Sequence, residues 1–365
     1  MSISEFFSLC GAHPWAIVAI AMNAIVIFIN GWTDGPNAIA TCVTTRAMRP
    51  KTAVAMAAVC NLIGVLCIGF LASHLSFGDV AQTIANLIEW PQGVSIDQVM
   101  VAISSGLFAI VVWSLGSTYY GFPSSESNEL VGGIIGSGMA LTLLSGEGNA
   151  FAHIGWKSFF LVVGGFFGSL ILGFLLGYGV TKLIESVCRK MTRGETTRFF
   201  TKGQIVSGGV MSFVHGVQDG AKFIGVFVMI VAMLSTATDV SLNASSLSGV
   251  WWMYVPVAVL MGAGTCMGGY SIIKTLGGEM AKLQKYQAFA TDVAATIGLL
   301  LATFLAIPVS TGTVKSTAIL GGGATKSLKR IHWDVAGKMI GSWIAIFPLT
   351  ALIGFVFVMI FVWTC

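Results

Sequence analysis

Two aspartates stand inside apolar stretches, Asp34 in NGWTDGPNAIAT and Asp219 in VHGVQDGAKFIG. A charged group at the centre of a membrane helix costs about 2.5–3.5 kcal/mol to insert, so it is kept where it has a partner and a use. Thr33 and Asn37 flank the first acid and Gln218 the second. Gly35, Pro36 and Gly220 predict breaks in helical continuity, because proline removes a backbone donor and glycine tolerates unusual dihedrals. An unwound helix bearing carboxylate, amide, hydroxyl and free carbonyls is an all-oxygen cage. It suits a hard cation such as sodium, and a proton could use the same carboxylate. Asp34 and Asp219 are therefore the expected cation ligands, as sodium sites if sodium is the coupling ion. The plainer alternative is a helix cap or a structural pair, for instance Asp219 with Lys222. His215 lies four positions before Asp219, but two ligands fall short of a metal site.

Two further segments share a grammar, GFPSSESNELVGGIIG (121–136) and IPVSTGTVKSTAILGG (307–322). In each a proline precedes a hydroxyl run and a glycine-rich apolar helix. Such a helix start offers unpaired N–H groups and hydroxyl donors at its positive end, which is an anion site; ordinary N-capping is the alternative for either motif alone. Glu126 and Lys315 have no counterparts in the other copy. A carboxylate beside an anion repels it unless protonated or bound to a cation, which makes Glu126 a candidate coupling group. Lys315 is expected to attract the anion, pair with Glu126 or snorkel to an interface. Glu129 is expected on a helix surface or in a pair.

The elements that must position these residues are membrane helices. The chain has 365 residues, 55% hydrophobic and only 9% charged, against roughly 25% charged in an average globular domain. Fifteen acids and nineteen bases cannot cover a soluble surface of this size. A spanning helix takes about 20 apolar residues, which leaves room for about ten crossings and little else. The seven cysteines form no CxxC pair, and neither a disulfide framework nor a zinc site is expected. The opening MSISEFF has no basic stretch, so no cleaved signal peptide is expected. The net charge of +4 bears on topology rather than on nucleic-acid binding.

The halves are related by a constant shift of 185 positions. That shift lays Asp34 on Asp219, and it also lays Pro123, Ser125, Gly136 and Gly138 on Pro308, Ser310, Gly321 and Gly323. One offset satisfying two distant motifs indicates an internal duplication. Residues 1–187 form the first transmembrane repeat and 204–365 the second. Between them, 188–203 is a basic linker placed in the cytoplasm. Equivalent loops carry opposite charge bias: Arg46, Arg49 and Lys51 follow the first motif, whereas the shifted stretch 231–236 has no base. The expected fold is an all-α polytopic membrane protein of two inverted-topology repeats, about five membrane segments each, with both termini outside. Segments 98–142 and 288–325 each read as two full spans or as a re-entrant hairpin.

At these four motifs the chain resembles the inorganic phosphate transporter (PiT) family of ion-coupled symporters. That family carries duplicated G-x-N-D-x-A-N and P-x-S-T-T-H elements in inverted repeats. The resemblance implies sodium- or proton-driven uptake of inorganic phosphate across the plasma membrane, no cofactor besides the coupling ion, and a possible homodimer. The cation side would comprise Asp34, Thr33, Asn37, Asp219, Gln218 and Glu126. The anion side would comprise Ser125, Ser127, Asn128, Ser310, Thr311 and Thr313. Departures from the pattern are Thr33 and Gln218 for asparagines, Glu126 and Gly312 for threonines, and Asn128 and Thr313 for histidines. They leave sulfate or another oxyanion as an alternative substrate. An intramembrane hydrolase would lack a GxSxG element around Ser125 or Ser310, and a nucleotide-driven pump would lack a GxxxxGK[ST] loop. A channel fits paired coupling acids less well than alternating access does.

Overall fold

A computed structural model describes residues 3–75, 79–120, 125–235 and 251–364. Pro123, at the head of the first hydroxyl motif, lies outside the described residues, as does the end of the 231–236 stretch. The described chain is almost wholly helical. In the first half run α1 (Ile3–Ala12), α2 (Pro14–Thr33), α3 (Ala40–Thr44), α4 (Pro50–Leu75), α5 (Asp79–Ala85), α6 (Ile96–Tyr120), α7 (Glu126–Ser145) and α8 (Trp156–Val187). The second half holds α9 (Arg193–Ser235), α10 (Trp251–Cys266), α11 (Tyr270–Lys274), α12 (Lys285–Phe304), α13 (Thr311–Ala324) and α14 (Trp333–Phe361).

Among the described residues seven helices are long and apolar enough to cross a membrane. A bent pair, Trp252–Cys266 with Tyr270–Glu279 at 64°, adds an eighth if it is one broken span. The bend falls at Gly268 and Gly269, both with positive φ, where residues with a β-carbon are strained; the sequence reading did not single it out. α13 has 14 residues, about 21 Å of helix against a hydrocarbon core of about 30 Å. It therefore stops short of a crossing, and α12 with α13 makes a hairpin.

The partition of side chains is inside-out. Ile171, Leu183 and Val206 point outward, while Asp34, Glu126, Asp219, Lys222, Asp292 and Lys315 are buried. Without water outside, apolar side chains gain nothing by hiding, and the polar ones must find partners in the bundle. Only 28% of the apolar window of α8 and 22% of that of α14 is buried, against 83% for α9. α8 and α14 are the outer wall and α9 the axis.

Packing respects the duplication. α2 packs on α10 and α4 on α9; α7 packs on α14 and α13 on α8; α6 pairs with α7 as α12 does with α13. Exchanging the two halves leaves these pairings unchanged. Shift-equivalent glycines make the close approaches possible. A β-carbon on Gly31 would meet the Met261 carbonyl of α10, and one on Gly216 the Asn61 carbonyl of α4. Small residues of this kind let membrane helices pack backbone to backbone.

One local expectation fails. α9 runs unbroken for 43 residues through Asp219 and Gly220. Ala221 stands where the first copy has Pro36, so no backbone donor is lost, and glycine alone costs a helix only about 1 kcal/mol. α9 begins at Arg193, so most of the basic segment 188–203 forms its first turns.

Candidate functional site

In the first half the chain does break. α2 ends at Thr33, the Asp34 amide still donates to the Asn30 carbonyl at 2.8 Å, and a 3₁₀ turn over Gly35–Ala38 follows with Pro36 near its start. The turn folds Asn37 back over the acid, and its Nδ2 donates to Asp34 Oδ1 at 2.6 Å. Asp34 Oδ2 is buried with no hydrogen-bond partner. The Thr33 hydroxyl reaches both the Ile29 carbonyl at 2.9 Å and Glu126 Oε1 at the start of α7. The expected neighbours Thr33, Asn37 and Glu126 thus gather at Asp34.

In the second half Asp219 is fully engaged. Lys222 donates to its Oδ1 at 2.6 Å, Asn30 Nδ2 donates to its Oδ2 at 3.0 Å, and His215 Nε2 stands 3.4 Å from the same oxygen. The structural pair weighed above for Asp219 and Lys222 is present. Gln218 points elsewhere: its Nε2 donates to the Ile307 carbonyl at 2.9 Å and its Oε1 accepts from Thr303. It anchors the α12–α13 turn rather than joining the acids, because on a continuous helix adjacent side chains diverge by about 100°.

The two acids meet. One ligand atom each from Asp34, His215 and Asp219 lies within 4.8 Å of the others. His215, set aside for want of a third ligand, finds it in Asp34 from the other half. Asn61 orients the ring, its Oδ1 lying 3.0 Å from His215 Nδ1 while its Nδ2 donates to Thr265.

The hydroxyl tips close over this cluster. Ser125 caps α7 in extended conformation but makes no side-chain cap bond, and its Oγ has no partner. Ser310 accepts from the Thr313 amide at 3.4 Å, which is ordinary capping of α13. Thr311 Oγ1, Thr313 Oγ1 and Asn128 Nδ2 are buried without partners. Ser127 Oγ is used, accepting from Lys222 at 2.6 Å. Unpartnered buried polar atoms cost about 1–3 kcal/mol each and are rare in folded chains. Here the acid motifs contribute Asn30 Oδ1, Asp34 Oδ2 and His215 Nε2, and the hydroxyl motifs Ser125 Oγ, Glu126 Oε2, Asn128 Nδ2, Thr311 Oγ1 and Thr313 Oγ1. The four hydroxyl and amide donors suit an oxyanion, and the carboxylate oxygens of Asp34 and Glu126 suit a cation or a proton.

A second buried cluster was missed. Lys315 pairs with Asp292 of α12, not with Glu126, and reaches no interface. Thr41 donates to Asp292 Oδ1 at 2.6 Å, Ser207 donates to Oδ2 at 3.1 Å, and Lys315 also donates to Thr41. Asp292 lies within an apolar stretch, so the rule that exposed Asp34 and Asp219 applied to it as well. Lacking an acid at its shifted position, it had no duplication to mark it. Glu129 is buried and accepts from Ser114 of α6, not displayed on a helix surface.

Residues 30–354 match the profile of the phosphate transporter family, from the first acid motif to α14. The chain belongs to that family. It is similar to a protein of Bacillus subtilis named "Probable low-affinity inorganic phosphate transporter", 33% identical over 327 residues that cover 90% of this chain and 91% of the relative. A Rhizobium meliloti protein of the same name is 31% identical and covers 94% of this chain and 95% of its own length. The fold is that of a solved structure, "The sodium-dependent phosphate transporter", at a TM-score of 0.80 and 21% identity, with 95% of this chain and 98% of that one covered. The hydrolase considered from sequence is thereby set aside: family and relatives are transporters, not enzymes.

Proposed function

We propose that the protein is a symporter that couples entry of inorganic phosphate across the plasma membrane to a cation, sodium or a proton. The anion would lie among Ser125, Asn128, Thr311 and Thr313, and the cation at Asp34. The observation that carries this reading is the set of buried, unpartnered donors on the two hydroxyl motifs together with the unpartnered carboxylate oxygens of Asp34 and Glu126. Phosphate could not enter such a place alone, since burying an unpaired charge is prohibitively costly. A cation on Asp34 removes that cost, and the anion in turn strengthens cation binding; reciprocal coupling of this kind is what symport needs. The Thr33 hydroxyl has one hydrogen and two acceptors in reach, Ile29 O and Glu126 Oε1. A proton resident on Glu126 would satisfy both contacts and would keep a second negative charge away from the anion.

The halves would cross the membrane in opposite senses, with the basic segment 188–203 cytoplasmic and both termini outside. The charge bias of the loops and the exchangeable helix pairings support that arrangement. The site is buried, so the cycle requires the hairpin tips to open it to each side in turn. The test is uptake of radiolabelled phosphate into proteoliposomes under separate sodium and proton gradients. Accumulation above equilibrium under at least one gradient is expected. Uptake that never exceeds equilibration under either, or that sulfate replaces fully, would overturn the reading.

A further inference from the structure

Lys222 is buried, and its ammonium makes three contacts, each at 2.6 Å: Asp219 Oδ1, Ser127 Oγ and the Val309 carbonyl. An ammonium has three hydrogens, and all are used. A carboxylate, a hydroxyl and a main-chain carbonyl are also the oxygen donors that a hard metal cation takes. The cage is built from both halves, since Ser127 belongs to α7 while Asp219, Lys222 and Val309 belong to the second.

The first half has the same frame without the charge. The shift of 185 lays Lys222 on Asn37 and Ser127 on Gly312. Asn37 Nδ2 donates to Asp34 Oδ1 at 2.6 Å, the counterpart of the Lys222 contact with Asp219. The amide is neutral, so Asp34 has no tethered counter-charge of its own and keeps a free oxygen. At Gly312 a β-carbon would lie 2.9 Å from Asn37 Nδ2 and 3.3 Å from Asp34 Oδ1. The side chain that would crowd Asp34 is therefore missing.

We infer that the Lys222 ammonium is a tethered cation occupying the second half's ion cage, so that a mobile coupling cation is needed only at Asp34. This rests on the proposed cation-coupled phosphate transport and specifies how many mobile cations it uses. A lysine there fixes one positive charge beside the anion site in every step of the cycle.

The test compares wild type, Lys222→Asn and the paired variant Asp219→Asn/Lys222→Asn, purified in sodium and reconstituted in liposomes. Phosphate uptake is followed as sodium is exchanged for choline at constant ionic strength. Lys222→Asn copies Asn37 and vacates the cage. At low sodium it should run at least about tenfold slower than wild type, as truncating one partner of a buried charge pair does. Sodium should restore it, with the sodium-to-phosphate flux ratio one higher than in wild type. Its melting temperature should fall on removing sodium more than that of wild type. The paired variant has no acid in the cage and should show no added sodium requirement. Should Lys222→Asn stay folded yet remain inactive at every sodium concentration, or show the sodium dependence of wild type, the inference is overturned. Sodium rescue of the paired variant would overturn it too. Should Lys222→Asn be recovered only unfolded even in sodium, sodium cannot replace the ammonium, and the inference falls as well. Wild type that carries no phosphate would instead sink the transport reading, so the two failures are separate.

Discussion

Asp34 and Asp219 occupy the same place in two copies of one pattern, yet the chain treats them oppositely. Asp219 sits on an unbroken helix and takes contacts from Lys222, Asn30 and His215. Asp34 sits where a helix ends, takes one amide bond, and leaves an oxygen free. Two substitutions account for most of the difference, Pro36 against Ala221 and Asn37 against Lys222. The two frames are equivalent in sequence, and a few side chains engage one acid fully and leave the other with a free oxygen. A carrier needs both kinds, since a site that never changes partner cannot couple and one that is wholly unpaired could not be buried.

The contrast can be broken by exchanging its elements. Ala221→Pro would put the first copy's helix break into α9, at about 3 kcal/mol or more of lost stability. It should lower the melting temperature markedly, and a variant that melts with wild type would show that continuity of α9 is not required. Asp34→Asn should cut concentrative uptake by about a hundredfold, the size of a lost coupling charge of roughly 3 kcal/mol, while membrane insertion and melting stay close to wild type. Unchanged accumulation in that variant would remove Asp34 from coupling. Ser125→Ala should raise the phosphate concentration for half-maximal uptake by about fivefold, as loss of one donor of about 1 kcal/mol would. Ser310→Ala should change that concentration less and stability more, because the Ser310 hydroxyl is engaged as a cap. If the two serine variants behave alike, the difference seen between the tips does not reach function.

Most of the site could be read from sequence because it was written twice. Asp34 and Ser125 stood out when one shift aligned two motifs, Thr311 and Thr313 came with the family resemblance, and each of the four carries an unpartnered atom in the structure. Features that break the duplication were the ones missed. Continuity through Gly220 was misread because glycine was given the weight of proline. Lys315 was assigned to the anion, to Glu126 or to an interface because the partner it has in the structure, Asp292, has no acid at its shifted position. Gln218 was grouped with the acids by adjacency, although neighbouring residues on a helix face different ways. The bend at Gly268 and Gly269 lay among 45 glycines, too many for any one to signal a break.

The central claim is that phosphate and its cation bind together, with the cation at Asp34. Equilibrium binding of radiolabelled phosphate to the purified protein, titrated with sodium and separately with acid, measures this directly. In wild type at least one titration should tighten phosphate binding by about tenfold or more, a coupling free energy in the usual range of 1–3 kcal/mol. In Asp34→Asn that dependence should be flat. An identical cation dependence in the two proteins would contradict the account.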